Sequence, residues 1–180
     1  MENSPLDIQF IRNRYAKARN KYKPRHINTL LIAEGPPNNL DRYFYFEEVK
    51  THDSLFLEIM GVLYPAQKKR YLASRRDALL KEELLEAFRE DGYSLMDLSE
   101  TPCNLLEVSL ESLVPYLLER LEKEIDKTTP VILIKSSLYD ICYAPLLANG
   151  YNVCNERIPF PGSGQQLVFR EKFKKALDSF

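Results

Sequence analysis

Residues that commonly bind metal ions are scarce in this sequence. Its 180 residues include three cysteines and two histidines, which are Cys103, Cys142, Cys154, His26 and His52. The cysteines are odd in number and separated by wide, unequal gaps, so they predict neither a disulfide framework nor a thiolate metal site. The two histidines, taken together with the three cysteines, do not indicate a tetrahedral zinc cluster either. We therefore expect a protein without a metal or other cofactor, kept in the reducing cytoplasm.

Long hydrophobic runs and glycine-rich phosphate loops are also missing. No apolar run approaches the roughly 18–20 residues needed to cross a bilayer, and residues 1–5 lack the apolar region of a secretory signal. Neither a Gly-x-x-x-x-Gly-Lys-Ser/Thr loop nor a Gly-x-Gly-x-x-Gly fingerprint after the first predicted strand is present. These absences predict no membrane partner and exclude the common nucleotide-binding motifs.

Charge is nearly balanced overall but is distributed unevenly along the chain. Residues 1–80 carry 14 Lys and Arg against 9 Asp and Glu, a net of +5, whereas residues 81–180 carry 11 against 17, a net of −6. Basic stretches within 12–25 and 68–76 are suited to follow a phosphate backbone, because neutralised phosphates release counterions. Solvated helix faces account for the same stretches, so both interpretations stay open.

Apolar runs alternate with segments of helical periodicity along the chain. Strands are predicted at 27–33, 93–98, 131–134 and 151–154. Helices are predicted near 5–23, 52–64, 75–91, 113–125, 137–148 and 167–176. Such alternation implies right-handed crossovers and a parallel sheet covered on both faces. We expect an α/β fold, a three-layer α/β/α sandwich with a short, four-stranded, mainly parallel sheet. It would form one domain over 1–180, with an N-terminal basic helix at 5–23 and a sheet core at 27–180.

Three loops follow predicted strands and are the places to look for a ligand. In open parallel sheets, ligands bind outside the carboxyl ends of the strands. That rule selects the segments 34–39, 97–104 and 159–166.

Two of these loops carry recognisable motifs. Ala33-Glu34-Gly35-Pro36-Pro37 resembles Gly-Glu-Ala-Pro-Gly, the first motif in part of the uracil-DNA glycosylase superfamily, and Phe160-Pro161-Gly162-Ser163 resembles its last motif, His-Pro-Ser-Pro. The order of features is also similar, with the aromatic cluster 43–46 after the first motif and Asp97 at the end of a middle strand. The resemblance in order covers about residues 27–175 and implies the fold of that superfamily.

The resemblance also implies a chemistry. It predicts hydrolysis of the N-glycosidic bond of a base flipped out of DNA, without a metal. Breaking that bond develops positive charge on the sugar and negative charge on the base, so a carboxylate is needed near the sugar. Glu34 would position the water, and Phe46, or alternatively Phe44, would stack on the base. Asp97 and Phe160 would contact the base. The predicted DNA contacts are Pro161, Gly162, Ser163, Gly164, Gln165 and Gln166.

Two departures from the family pattern shape the expected specificity. Phe160 stands where the family has His, and Phe cannot donate a hydrogen bond to a developing anion. Asp97 stands where the family commonly has Asn, and an ionised carboxylate only accepts hydrogen bonds. We therefore expect altered base specificity or weak activity, with preference for a donor-rich edge such as that of guanine.

Other functions and plainer structural roles stay open. One alternative is a catalytically inactive module that binds nucleic acid or a nucleobase-like small molecule, and another is an interaction protein that uses its basic N-terminal helix. Glu34 also suits a turn, the cluster 43–46 a hydrophobic core, and Asp97 a cap. The loop before the last helix also suits a simple helix lead-in.

Overall fold

Seven α-helices and three β-strands make up the computed structural model, which describes residues 7–162 and 164–180. The helices are α1 Ile8–Lys21, α2 Ser54–Leu63, α3 Pro65–Ala73, α4 Ala78–Glu90, α5 Val114–Glu124, α6 Ser136–Ala148 and α7 Gln166–Leu177. The strands are β1 Thr29–Ala33, β2 Tyr93–Asp97 and β3 Val131–Leu133. Short 3₁₀ turns at Cys103–Leu105 and Glu111–Leu113 precede α5. The six predicted helices and the first three predicted strands occur in the predicted order, whereas α3 was not predicted and the fourth predicted strand, at 151–154, does not form.

Local side-chain chemistry explains where several helices begin and end. The Asp7 carboxylate accepts hydrogen bonds from two backbone N–H groups at the start of α1, and Asp77 does the same for α4. Pro65 begins α3, at a position where its missing N–H costs nothing. Gly92 follows α4 with a φ of 80°, a left-handed conformation that glycine adopts without strain, and the chain turns there into β2.

The sheet is parallel, with strand order β2-β1-β3. Its three strands correct the prediction of four. The segment 151–154 makes one isolated bridge, Val131 to Val153, and a second bridge, Ile134 to Ile158, follows outside it. Between these bridges, the side chains of residues 155–157 bind α6 and α7: Asn155 bonds Tyr139, Glu156 pairs with Lys175, and Arg157 pairs with Asp140. This segment therefore runs beside β3 without forming a strand.

Helices cover both faces of the sheet. Leu31 and Leu95 point into a core formed with α1, α2, α4 and α7. Leu30, Ile32 and Met96 point the opposite way, into a second core formed with α5 and α6. This arrangement confirms a mixed α/β architecture with a small parallel sheet between helices.

Candidate functional site

A cavity of about 160 Å³ lies at the carboxyl edge of the sheet, and we call it the first cavity. The backbone joins the ends of β1 and β2 there, since Leu98 N–H donates to the Ala33 carbonyl (2.8 Å) and Ser99 N–H to that of Glu34 (3.0 Å). All three loops selected from the sequence contribute to the lining. The lining residues are Gly35, Pro36, Pro37, Arg42, Tyr43, Phe44, His52, Asp53, Ser54, Leu55, Phe56, Leu95, Asp97 and Phe160.

Aromatic rings form much of the wall of the first cavity. Phe44 and Phe56 are buried and meet edge to face, with ring centroids 5.5 Å apart. Tyr43 is buried beside them. Phe160, in contrast, is 45% exposed, so it lies at the mouth. Rings held by core packing present flat apolar surfaces in fixed positions, which suits a flat ligand.

Asp97 is the buried carboxyl group of the first cavity, with 7% of the residue exposed. Burial raises its pKa to about 7, against the lowering effects of the Arg120 and Arg19 guanidinium groups and the Tyr43 hydroxyl. Arg120 donates to the backbone carbonyls of Asp97 and Leu98, each at 2.8 Å, which fixes the strand end. Near neutral pH, both the ionised and the protonated carboxyl are therefore populated.

The sequence did not point to four polar residues that line the first cavity, which are Arg42, His52, Asp53 and Ser54. Asp53 is buried, pairs with Arg76, and lies 3.8 Å from the ammonium of the fully buried Lys81. His52 is exposed and adopts a φ of 57°. His52 and Asp53 fall at the start of the helix predicted at 52–64 and immediately precede the observed α2, but nothing in their spacing indicated a cavity.

Glu34, the predicted catalytic acid, does not line the first cavity. Ala33 pairs with Asp97 in the sheet, and because side chains alternate along a strand, Glu34 faces away from the Asp97 side. Its carboxylate pairs with Lys135 (2.5 Å) and accepts a hydrogen bond from Ser137 (3.0 Å), at the N-terminus of α6. Glu34 and Asp97 thus share one edge of the sheet while pointing to different faces. The contacts of Glu34 also serve to fasten β1 to α6.

A strained backbone holds the partner of Glu34. Lys135 adopts a φ of 95°, which costs energy in a residue with a Cβ and persists only where the surrounding structure enforces it. The Cys103 thiol lies 3.8 Å from Glu34, and burial, followed by the negative charge of Glu34, raises its pKa. The strand-end cluster of Glu34, Lys135, Ser137 and Cys103 is therefore tightly built.

Phe46, the favoured stacking residue, also lies outside the first cavity. It packs on Tyr15 and Tyr43, and the Arg14 guanidinium lies 4.6 Å from its ring centroid. Phe44, the alternative named from the sequence, occupies the cavity wall instead. Phe44 and Phe46 are two residues apart on an irregular segment, and their rings point in different directions. Only the folded structure shows which of the two lines the first cavity.

Among the described residues of the predicted DNA-contacting loop and its start, Phe160 alone lines the first cavity. Pro161 is buried, and Gly162 lies close to the Phe160 ring. Gly164, with a φ of 83°, and Gln165 are exposed just before α7, which begins at Gln166. Ser163 lies outside the described residues. Leu167 and Val168 add exposed apolar surface in the first turn of α7.

Most basic residues of the N-terminal stretch are paired with carboxylates. The pairs are Arg12–Glu100, Arg14–Asp41, Arg19–Glu124, Lys21–Glu47, Lys21–Glu82 and Lys23–Glu124. In the second stretch, Lys68 pairs with Glu58, Arg70 with Glu83 and Arg76 with Asp53. These pairs offset much of the positive charge of the two basic stretches and reduce their attraction for a phosphate backbone.

Comparison of the chain with family models, with curated proteins and with solved structures found no match. Within residues 7–162 and 164–180, no group of three or more His, Cys, Asp or Glu side chains is arranged to hold a metal ion. None of the helices in the same ranges combines the length and apolarity that crossing a membrane requires.

Proposed function

We propose that the first cavity binds a flat, nucleobase-like heterocycle, on a scaffold similar to that of the uracil-DNA glycosylases. The observation that carries the proposal is the buried Asp97 carboxyl among aromatic walls at the carboxyl edge of a parallel sheet. The volume of about 160 Å³ is close to that of a cavity of roughly 150 Å³ that binds benzene in another protein. A single heterocycle is therefore the appropriate size of ligand.

The protonation state of Asp97 decides which edge of a heterocycle it can pair with. The ionised carboxylate accepts from two donors, as in the N1–H and N2–H edge of guanine. The protonated carboxyl offers one donor and one acceptor, which matches the lactam edge of uracil or hypoxanthine. Because burial raises the pKa of Asp97 to about 7, guanine-type ligands are expected to bind more tightly above neutral pH and lactam-type ligands below it.

Binding of guanosine and uridine to the purified protein, measured by calorimetry at pH 6 and 8, tests this function. Guanosine is expected to bind more tightly at pH 8, and Asp97→Asn is expected to weaken it about 10- to 100-fold, the value of a charge-assisted hydrogen bond. Asp41→Asn is the matched control, since that carboxylate is 83% exposed outside the first cavity. Guanosine affinity that is unchanged in Asp97→Asn would contradict the proposal.

Glycosidic-bond hydrolysis in DNA is the second candidate, favoured by the strained Lys135 that holds Glu34 immediately before the cavity-lining residues 35–37. In this reaction the Glu34 side chain would have to turn from Lys135 and Ser137 toward the first cavity. There it would accept a proton from a water whose oxygen bonds to the sugar C1′ while the C1′–N bond breaks. Protonated Asp97 would give its proton to the departing base, a role that Phe160 cannot fill. The first cavity would hold the base in either function.

Release of free base from duplex oligonucleotides containing uracil, hypoxanthine or xanthine separates the two functions. Hydrolysis predicts release that falls about a hundredfold in both Glu34→Gln and Asp97→Asn, and that declines above about pH 7 as Asp97 loses its proton. Binding of nucleosides without base release supports the binding module. Brisk uracil release that Asp97→Ala leaves intact would contradict the assigned role of Asp97 in both.

A further inference from the structure

A second cavity, of about 230 Å³, lies on the other side of Asp97. Pro36, Tyr43 and Asp97 line both cavities, so the two are neighbours. The second cavity is polar where the first is aromatic. Its lining residues are Arg12, Tyr15, Ala16, Arg19, Asn20, Pro36, Tyr43, Met96, Asp97, Glu100, Arg120 and Glu124.

Positive charge exceeds negative charge around the second cavity. Glu124 is shared by Arg19, at 2.6 and 3.0 Å, and Lys23, at 3.1 Å. Glu100 is shared by Arg120, at 3.8 Å, and Arg12, at 4.0 Å. Three guanidinium groups and three carboxyl groups line the second cavity, and Lys23, which lies outside the lining, adds a fourth positive charge through its pair with Glu124. Asp97 adds less than a full negative charge near neutral pH because burial raises its pKa to about 7. An anion would restore the balance in a partly buried space.

Two of the arginines also keep donors that the described residues do not satisfy. Arg120 Nε is fully buried and has no hydrogen-bond partner among the described residues, although the NH2 group of the same side chain bonds two carbonyls. The closest approach of Arg12 to Glu100, 4.0 Å, is longer than a hydrogen bond, and 43% of its side chain is exposed. Arg120 NH1 also lies 3.8 Å from Glu100, beyond hydrogen-bond distance, so a ligand oxygen in the second cavity would gain donors from this group and from Arg12.

We propose that the second cavity is a binding site for a phosphate-class oxyanion, held by Arg12 from α1 and Arg120 from α5. Guanidinium groups present several donors in a fixed plane, which suits the oxygens of a tetrahedral anion. Arg19 contributes positive charge while its own donors stay on Glu124 and the Leu95 carbonyl. The anion is either free phosphate or the phosphate of a nucleotide. The site does not depend on the heterocycle proposed for the first cavity.

Titration of the full chain with inorganic phosphate at low ionic strength, followed by amide NMR shifts, tests the site. Saturable shifts are expected in the residues that line the second cavity, and Arg12→Gln is expected to weaken phosphate binding about tenfold. Arg157→Gln is the matched control, because Arg157 is exposed, pairs with Asp140 and lies outside both cavities. Arg120→Gln serves as a second variant once its thermal midpoint shows that it is folded.

Comparing the affinities of phosphate, guanosine and guanosine monophosphate distinguishes free phosphate from the phosphate of a nucleotide as the bound anion. Monophosphate that binds more tightly than either fragment identifies a nucleotide spanning both cavities, whereas phosphate that binds as tightly as the monophosphate identifies a free anion. The proposed anion site is overturned by phosphate shifts that do not saturate, that chloride reproduces, or that persist unchanged in Arg12→Gln. Guanosine binding without phosphate binding would support the proposal for the first cavity and overturn only the proposed anion site in the second.

Discussion

Replacing Asp53 with alanine is expected to destabilise the protein by about 3–5 kcal/mol, the cost of removing one partner from a buried ion pair. The Asp53 side chain is 3% exposed and pairs with Arg76, whose side chain is 21% exposed. It also faces Lys81, which is fully buried, with its ammonium 4.2 Å from the centre of the Phe56 ring. Without Asp53, only the cation–π contact with Phe56 and the more distant charge of Glu47 offset the desolvation of Lys81 among the described residues.

The pKa of Lys81 shows that its environment already penalises the charge. Burial lowers that pKa to about 8, against the opposing effect of Asp53. Removing Asp53 lowers it further, so Asp53→Ala is expected to leave Lys81 largely neutral at physiological pH. The cost of taking the proton off the amine is part of the predicted loss.

Urea unfolding measures this loss, and a second substitution checks its cause. Lys81→Met removes the charge but keeps an unbranched side chain, so the double variant Asp53→Ala/Lys81→Met is expected to recover a large part of the stability. Asp140→Ala breaks an exposed pair with Arg157 and is the control that should keep the wild-type midpoint. An Asp53→Ala protein as stable as the wild type would show that the buried pair contributes nothing.

Elements with a clear periodicity were predictable from the sequence, and those without one were not. The apolar run at 27–33 contains β1, and the leucine pattern within 75–91 contains α4. Helix α3 escaped prediction because only Tyr71 of its nine residues is buried, so the segment carries no apolar stripe. The segment 151–154 has the composition of a strand, yet it pairs with β3 only through an isolated bridge at Val153, a tertiary outcome that composition does not encode.

The candidate site was predictable at the level of loops but not of side chains. The rule for parallel sheets selected three segments, and all three line the first cavity. Whether a given side chain points into that cavity depends on a shift of one residue, which turned Glu34 to the other face of the sheet. Phe44 and Phe46, two residues apart on an irregular segment, also point in different directions, and no strand periodicity predicts which ring enters the cavity. Asp53 reaches the cavity through tertiary packing that no local pattern encodes.

Asp97→Asn is expected to make the protein more stable above neutral pH, by up to about 4 kcal/mol. Burial raises the pKa of Asp97 to about 7, whereas an aspartate in the unfolded chain has a pKa of about 3.9. Between these values the folded protein binds more protons at this site than the unfolded chain does. Stability contributed by Asp97 is therefore present below about pH 4 and is lost progressively as the pH rises to about 7.

The groups around Asp97 explain why its ionised form is only partly compensated. Arg120 and Arg19 face it from α5 and α1, and the Tyr43 hydroxyl contacts it from the loop after β1, all lowering its pKa. Glu100 opposes them. Asparagine keeps the shape of the side chain without the charge, so it removes the desolvation cost of the carboxylate while Arg120 keeps its bonds to the backbone carbonyls.

The difference in stability between the two proteins, followed by urea unfolding from pH 4 to 8, isolates Asp97 from other titrating groups. Carboxylates such as Glu124 and Glu47, whose pKa values are lowered despite burial by their hydrogen-bonded partners, change stability equally in both proteins. The difference is expected to be small near pH 4 and to grow in favour of Asp97→Asn up to about pH 8. The Asp41→Asn control should parallel the wild type throughout. Parallel curves for Asp97→Asn as well would mean that Asp97 titrates like an exposed aspartate, and the pH-dependent choice of ligand edge would lose its physical basis.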